Sequence, residues 1–328
     1  MLPLAWRNVW RQRWRSLVTA GSVALVVWLS IVFFSFGGAA TNSFYTRVTD
    51  TSGHLQLRTQ GWRDATGLQD SLLEDAAAVR AQAAEATGQS FPDATLSAVL
   101  EVPALISGDD RSRGALLVGR EWPEEIRRRS LANATLQGRF VEGPGEVVLG
   151  ESLASALDLG LGGELFVYAP EGQGFGATVL DVVGLVDMAD PNQEIVTVWT
   201  ELAEAQELAA PDAVTRIEIH LPSLVRIEDD VAAGDLAAEL GALFPDLDSF
   251  TWRELDPGLV TVLEALNPML YAVAALFFIL AGLLVLNTIY LSVMERIREL
   301  GVIHALGASG RSVLGRVTTE SLFLCPLG

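Results

Sequence analysis

The chain has 328 residues, 50% of them hydrophobic, with 22 basic residues against 41 acids and a formal net charge of −19. That apolar content excludes a disordered chain, the single Cys excludes a disulfide-stapled secreted fold, and a pI near 4.5 excludes non-specific nucleic-acid binding, because an acidic surface repels phosphate. A mean hydropathy of +0.34 beside so large a charge requires greasy segments flanking an acidic, water-facing body.

Residues 1–16 hold Trp6, Trp10 and Trp14 at four-residue spacing, with Arg7, Arg11 and Arg15 one step round. An indole stripe beside a guanidinium stripe predicts an amphipathic helix lying in the headgroup layer of a lipid bilayer, on its cytoplasmic side. The rival reading is a plain positive flank. Residues 17–40 form the first predicted span: Leu17 to Phe36 is free of charge and about 30 Å long as a helix, the thickness of the hydrocarbon layer. A cleaved signal peptide is the alternative for this end, with Gly38-Ala39-Ala40 as small residues, although the apolar run is longer than such peptides carry.

Residues 41–266 read as an extracytoplasmic α+β domain. Gly53 to Arg58 alternates as a strand, Leu72 to Ala86 has helical pattern and propensity, and Ala94 to Ile106 and Ala115 to Val118 are extended. Short apolar runs punctuated by glycine follow at Glu146 to Leu149, Leu165 to Tyr168, Thr178 to Val186 and Ile195 to Trp199. Then Val214 to Leu221 alternates, Val231 to Leu243 is helical and Ser249 to Trp252 is extended. The expected architecture is therefore a pair of β-α-β halves bracketing a β-rich insertion, flanked by transmembrane helices. Ala39 to Val48 and Pro257 to Asn267 are expected to extend the two spans as helices.

The second span falls at residues 267–294, with Pro268 near its entrance, and residues 295–319 form a cytoplasmic region. Arginines near the membrane mark the inner side, and residues 37–293 hold 14 of the arginines but 38 of the acids, which puts that body outside. At residues 320–328 the chain turns apolar again, as at the start of a truncated third span.

No catalytic constellation is present. A phosphate-binding loop of Walker type requires a lysine, and the chain contains none. His54, His220 and His304 stand in separate segments, so neither a metal nor a cofactor is expected, and His54 and His220 read as half-buried structural residues. Past the second span, Ile297, Leu300, Val302, Ile303 and Leu306 give a short helix an apolar face suited to docking on a cytoplasmic protein.

These residues carry a resemblance. Arg298-Glu299-Leu300-Gly301-Val302-Ile303-His304-Ala305-Leu306-Gly307-Ala308-Ser309 resembles the signature that follows the second span in FtsX-like ABC-transporter permeases, the group of lipoprotein-release and macrolide-export permeases. Leu4-Ala5-Trp6-Arg7-Asn8-Val9-Trp10-Arg11 is similar to the family's opening, and Glu146 to Gly150, Leu157 to Gly160 and Trp252 to Leu255 are similar to the lipoprotein-release branch. The resemblance implies a permease subunit of an ABC exporter in a bacterial inner membrane. It has no catalysis of its own, works with a cytoplasmic ABC ATPase and a second permease copy or homologous permease, and handles lipoproteins or amphiphiles. By match, the coupling element would be Glu299 to Ala308, including Gly301, Val302, Ile303, His304, Leu306 and Gly307. His304 departs from the basic residue usual at its position. The alternative function is a membrane-anchored sensor or receptor whose output module is missing.

Overall fold

The computed structural model describes residues 13–123, 126–127, 134–171, 174–188, 191–295, 297–298 and 301–302. Two compact units divide the chain: residues 1–41 with 258–328, and residues 42–257.

Helix α1 (Arg13–Ser52) leads into the second unit. There β1 (Leu55–Thr59), α2 (Ala76–Ser90) and β2 (Thr95–Ser107) make one β-α-β half. The insertion follows as β3 (Ser112–Arg120), β4 (Ala134–Gly138), β5 (Glu146–Gly150), α3 (Glu151–Leu157), β6 (Glu164–Glu171), β7 (Gly174–Met188), one-turn α4 (Pro191–Glu194), β8 (Thr197–Glu201) and α5 (Leu202–Ala209). The second half is β9 (Arg216–His220), α6 (Val231–Leu243) and β10 (Leu247–Thr251). One-turn α7 (Trp252–Leu255) and α8 (Pro257–Glu295) close the described elements.

The two halves interleave in the order β10-β1-β9-β2, antiparallel throughout, the layout of a split β-α-β sandwich. Period-two alternation gives this sheet its faces. Leu55, Leu57, Ala98, Ile217 and Ile219 point to one side and join Ala83 of α2 and Leu236 and Leu240 of α6 in a single buried cluster. β2 is long enough to serve two neighbours, pairing β9 over Thr95–Val99 and β3 over Val99–Ser107.

From β2 the pairing runs through β3, β8, β5, β7 and β6 and returns to β2, so six strands close on themselves. Leu117, Val147, Leu149, Leu165, Val167, Leu180, Val182 and Val198 from these strands are all buried in the same cluster. A smaller cluster holds Trp122, Phe140, Val148 and Val186, with the two rings edge to face at 4.7 Å and the Trp122 indole N–H donating to the Thr200 carbonyl at 2.8 Å. At the start of α3 the chain approaches α4 so closely that a Cβ on Gly150 would stand 1.9 Å from the Glu194 carbonyl oxygen. Glu194 fastens this contact by accepting the Ser152 N–H (2.8 Å) and the Met188 N–H (3.2 Å).

The β-α-β halves stand where the sequence places them, but the insertion is not purely β: α3 and α5 lie inside it. The helix expected from Leu72 begins at Ala76, because Leu73 exchanges backbone hydrogen bonds with Val214 and is held extended. Pro268 lies inside α8, after the helical stretch Pro257–Asn267; its ring removes one backbone donor, and the helix continues on both sides.

Candidate functional site

Among the described residues, two stretches are long and apolar enough to cross a membrane: Ala24–Ser52, mean hydropathy 1.9, and Pro257–Asn287, mean hydropathy 2.7. Large side chains such as Trp28, Ile31, Phe36, Phe278, Ile279 and Leu286 are exposed along them. Such a surface is costly in water and at home in lipid. The two helices touch: Phe33 meets Phe277 edge to face at 6.2 Å, Phe34 lies 6.0 Å from Tyr271, and a Cβ on Gly37 would come within 2.6 Å of Leu270. Two hydroxyls of α1 are satisfied within the helix, Ser30 donating to the Val26 carbonyl (2.8 Å) and Thr41 to the Gly37 carbonyl (3.0 Å), as a helix away from water requires.

Trp14 and Arg15 fall in the first turn of α1; Trp6, Arg7, Trp10 and Arg11 lie outside the described residues. Of the expected coupling element, Gly301 and Val302 are helical and exposed, Val302 at 58%, as is Ile297 at 57%. Glu299, Ile303, His304, Leu306, Gly307 and Ala308 lie outside the described residues. The described geometry therefore does not bring these residues together as a site.

What the structure does bring together is a buried cluster of charge in the second unit, residues 42–257, the outer unit of the sequence-based expectation. On β9, Ile217 and Ile219 face the helices, which turns Arg216, Glu218 and His220 to the other side of the sheet, and there they are buried as well. Glu218, with no solvent exposure, accepts from the Arg216 Nε at 2.7 Å, pairs with Arg120 through its second oxygen, and lies 3.6 Å from His220 Nε2. Arg216 also reaches Glu101 at 2.5 Å. Beside them Arg58 bonds to Gln56 (2.9 Å) and stacks on Trp62 at 3.9 Å. Burial and the neighbouring Arg216 pull Arg120 down to about 9, and the same two causes, in the same order, bring Arg58 to about 10. For Glu101 burial pushes the pKa up, but Arg216 outweighs it and holds the carboxyl below its ordinary 4.5.

This arrangement binds guanidinium to carboxylate and ties β9, β2 and β3 across one face. Among the described residues no three His, Cys, Asp or Glu side chains gather as a metal site. His54 and His220 are more deeply buried than the sequence suggests. His54 accepts the Leu221 N–H on Nδ1 at 3.1 Å, which leaves Nε2 to donate to the Leu224 carbonyl at 3.3 Å. The signal for the cluster is present in Arg216-Ile217-Glu218-Ile219-His220: the polar side of the strand carries both signs of charge and a histidine, where a wetted face would need no such matching.

The depressed Glu101 pKa sets a pH dependence. A carboxyl titrating lower in the folded state than in the unfolded chain adds stability above about pH 4.5 and loses it as the pH falls through its folded value. Glu101→Gln is expected to lower the urea midpoint at pH 7 and to converge on the wild type as the pH falls through the folded value of Glu101; a difference that does not shrink on acidification would remove Glu101 from the linkage.

Family comparisons coincide with this layout. Residues 16–243 match the model of the MacB-like periplasmic core domain, and residues 271–328 match the FtsX-like permease C-terminal model. The chain belongs to the FtsX-like ABC-transporter permease family, membrane permeases that carry a periplasmic domain. Curated relatives include the macrolide export ATP-binding/permease protein MacB of Syntrophobacter fumaroxidans, 28% identical over 46% of this chain and 22% of the relative. The MacB of Marinobacter nauticus is 25% identical over 64% and 32%, and that of Agrobacterium fabrum 32% identical over 32% and 17%. Each match takes in less than a third of the relative's own length. Among solved structures, the periplasmic region of MacB from Actinobacillus actinomycetemcomitans aligns over 63% of this chain and 93% of its own at 15% identity and a TM-score of 0.42. The extracellular domain of the noncanonic ABC-type transporter YknZ from Gram-positive bacteria aligns over 60% and 99% at 9% identity and a TM-score of 0.39.

Proposed function

We propose that this chain is the permease subunit of an ABC exporter, set in a bacterial inner membrane with residues 42–257 on the periplasmic side. The observation that carries the reading is the tandem family match: a periplasmic core domain followed by a permease C-terminal segment, over a chain laid out as apolar helix, acidic α/β unit and apolar helix. ATP hydrolysis falls to a partner ATPase, because a chain without lysine cannot build the Walker loop. The element Glu299 to Ala308 docks on that ATPase, two permease copies or two homologous permeases work together, and Trp6, Trp10 and Trp14 with Arg7, Arg11 and Arg15 rest in the headgroup layer. The cargo is amphiphilic. Macrolides, for which the relatives are named, and lipoproteins share that chemistry.

Reporter fusions test the orientation. A periplasmic reporter inserted after Glu207, in α5, is expected to be active, and one inserted after Ser309 silent, with a cytoplasmic reporter giving the opposite pair. The reversed pattern would overturn the architecture.

A further inference from the structure

The outer sheet ends at β10, which among the described residues pairs with β1 alone. Every residue of β9 is buried, whereas every residue of β10 is half-exposed, the profile of an open edge. Ladder alternation decides which backbone groups are open. The Trp252 N–H donates to the His54 carbonyl (3.1 Å), so the groups of Phe250 and Asp248 also turn toward β1 and those of Ser249 turn outward. At the two ends, the Leu247 N–H is taken by the Phe244 carbonyl (3.1 Å) and the Thr251 N–H by Glu254 (2.8 Å). The Thr251 carbonyl is spent on the first bond of α7, so both backbone groups of Ser249 and the carbonyl of Leu247 are left facing out.

Beside this edge lies a groove of about 630 Å³ between β10 and α6. Its helix wall is Val231, Gly234, Ala237 and Ala238, and Ser249 and Thr251 form the strand wall. The small residues leave room for the side chains that alternate along an added strand, and Val231, 75% exposed at one end, offers them an apolar contact. Residues 227–256 hold nine acids, among them Glu228, Asp229, Asp235, Glu239, Asp246 and Asp248. Their one cation, Arg253, already donates to Asp230 at 2.6 Å.

We propose that this groove takes an extended, basic segment of a partner protein, which adds to β10 as a further strand. Main-chain hydrogen bonds at Ser249 supply the pairing, the small-residue wall admits every second side chain, and the surrounding carboxylates select lysine and arginine. The proposal is independent of the permease reading, since it rests on the outer unit's edge alone.

The test uses the full chain in nanodiscs of zwitterionic phosphatidylcholine, with empty nanodiscs as the blank. The probe is the fluorescein-labelled peptide Lys-Val-Thr-Val-Lys-Val, followed by polarisation. Binding is expected to weaken about tenfold when every second peptide amide is N-methylated, and about tenfold when glutamate replaces lysine. Ser249→Pro removes the outward N–H while leaving the β1 ladder intact and is expected to weaken binding by a similar factor; Gly234→Leu fills the groove and should do the same. Hydrogen exchange at the Ser249 amide is expected to slow when the peptide is saturating. The N-methylated peptide needs no protein variant, so it reads the pairing even if Ser249→Pro fails to fold. Equal binding of the methylated and parent peptides would mean that charge alone holds them and would overturn the proposal, as would no binding to the wild-type chain.

Discussion

Glu218→Ala is expected to destabilise the outer unit by about 3–5 kcal/mol, a large part of the roughly 5–15 kcal/mol that holds a domain together. The carboxylate sits between Arg120 and Arg216, all three buried. Its removal leaves two guanidiniums without their shared counter-charge in a place water does not reach. The loss measures an unpaired charge and says little about the net worth of the pairs. A companion variant separates the two: Arg120→Met, Arg216→Leu and Glu218→Leu, with Glu101→Gln so that no carboxylate is stranded, together take away the paired charges and are expected to fall much closer to the wild type than Glu218→Ala does. Urea denaturation of the full chain, followed by tryptophan fluorescence, reads both. A loss under about 1 kcal/mol for Glu218→Ala would mean that water enters and solvates the arginines.

The second large effect is expected in the proposed coupling element. If Glu299 to Ala308 seats in a cleft of the partner ATPase, Leu306 supplies part of the apolar anchor, on the same face as Val302 and Ile303. Leu306→Asp would place an unpaired carboxylate in a desolvated contact, at a cost on the order of 2–4 kcal/mol, or roughly 30- to 1,000-fold in affinity. Folding of the outer unit should not change, because the substitution lies far from it in the chain. Co-purification of the permease with its ATPase, with protease protection of the outer unit as the control, reads the two separately. Unchanged recovery of the ATPase would reduce the segment to a connector, and loss of the protected fragment would mean that the helix is misassigned.

The elements with strong periodicity were legible in the sequence. Val231 to Leu243 was bounded to the residue, and the two β-α-β halves followed from alternation at Gly53 to Arg58 and at Val214 to Leu221. Short elements were not. Glu151–Leu157 and Leu202–Ala209 each span about two turns, too few for a helical period to show above the strands around them. Closure of the six strands was invisible too, because it depends on β6 meeting β2 across a long separation that no local pattern encodes. The ion cluster failed for a different reason. Charged residues on alternate positions of a strand normally face water, and only the matching of Arg216, Glu218 and Arg120 in space explains their burial. The coupling and interface residues were read from motif and spacing, and the described geometry adds only that Trp14 and Arg15 open α1 and that Gly301 and Val302 are helical and exposed.

Register also sets an order of events while the chain is being made. The six closing strands come from one continuous stretch, Thr95 to Glu201, and can complete their ring as soon as β8 has emerged. β1 has to wait. Its partners are β9 and β10, and Leu55 meets Thr251 only after roughly 200 further residues, a delay on the order of 10–40 s at ordinary rates of synthesis. For that interval β1 stands after α1 with both edges open, so the newborn unit 42–257 is most exposed to aggregation at β1 and safest in the closed ring.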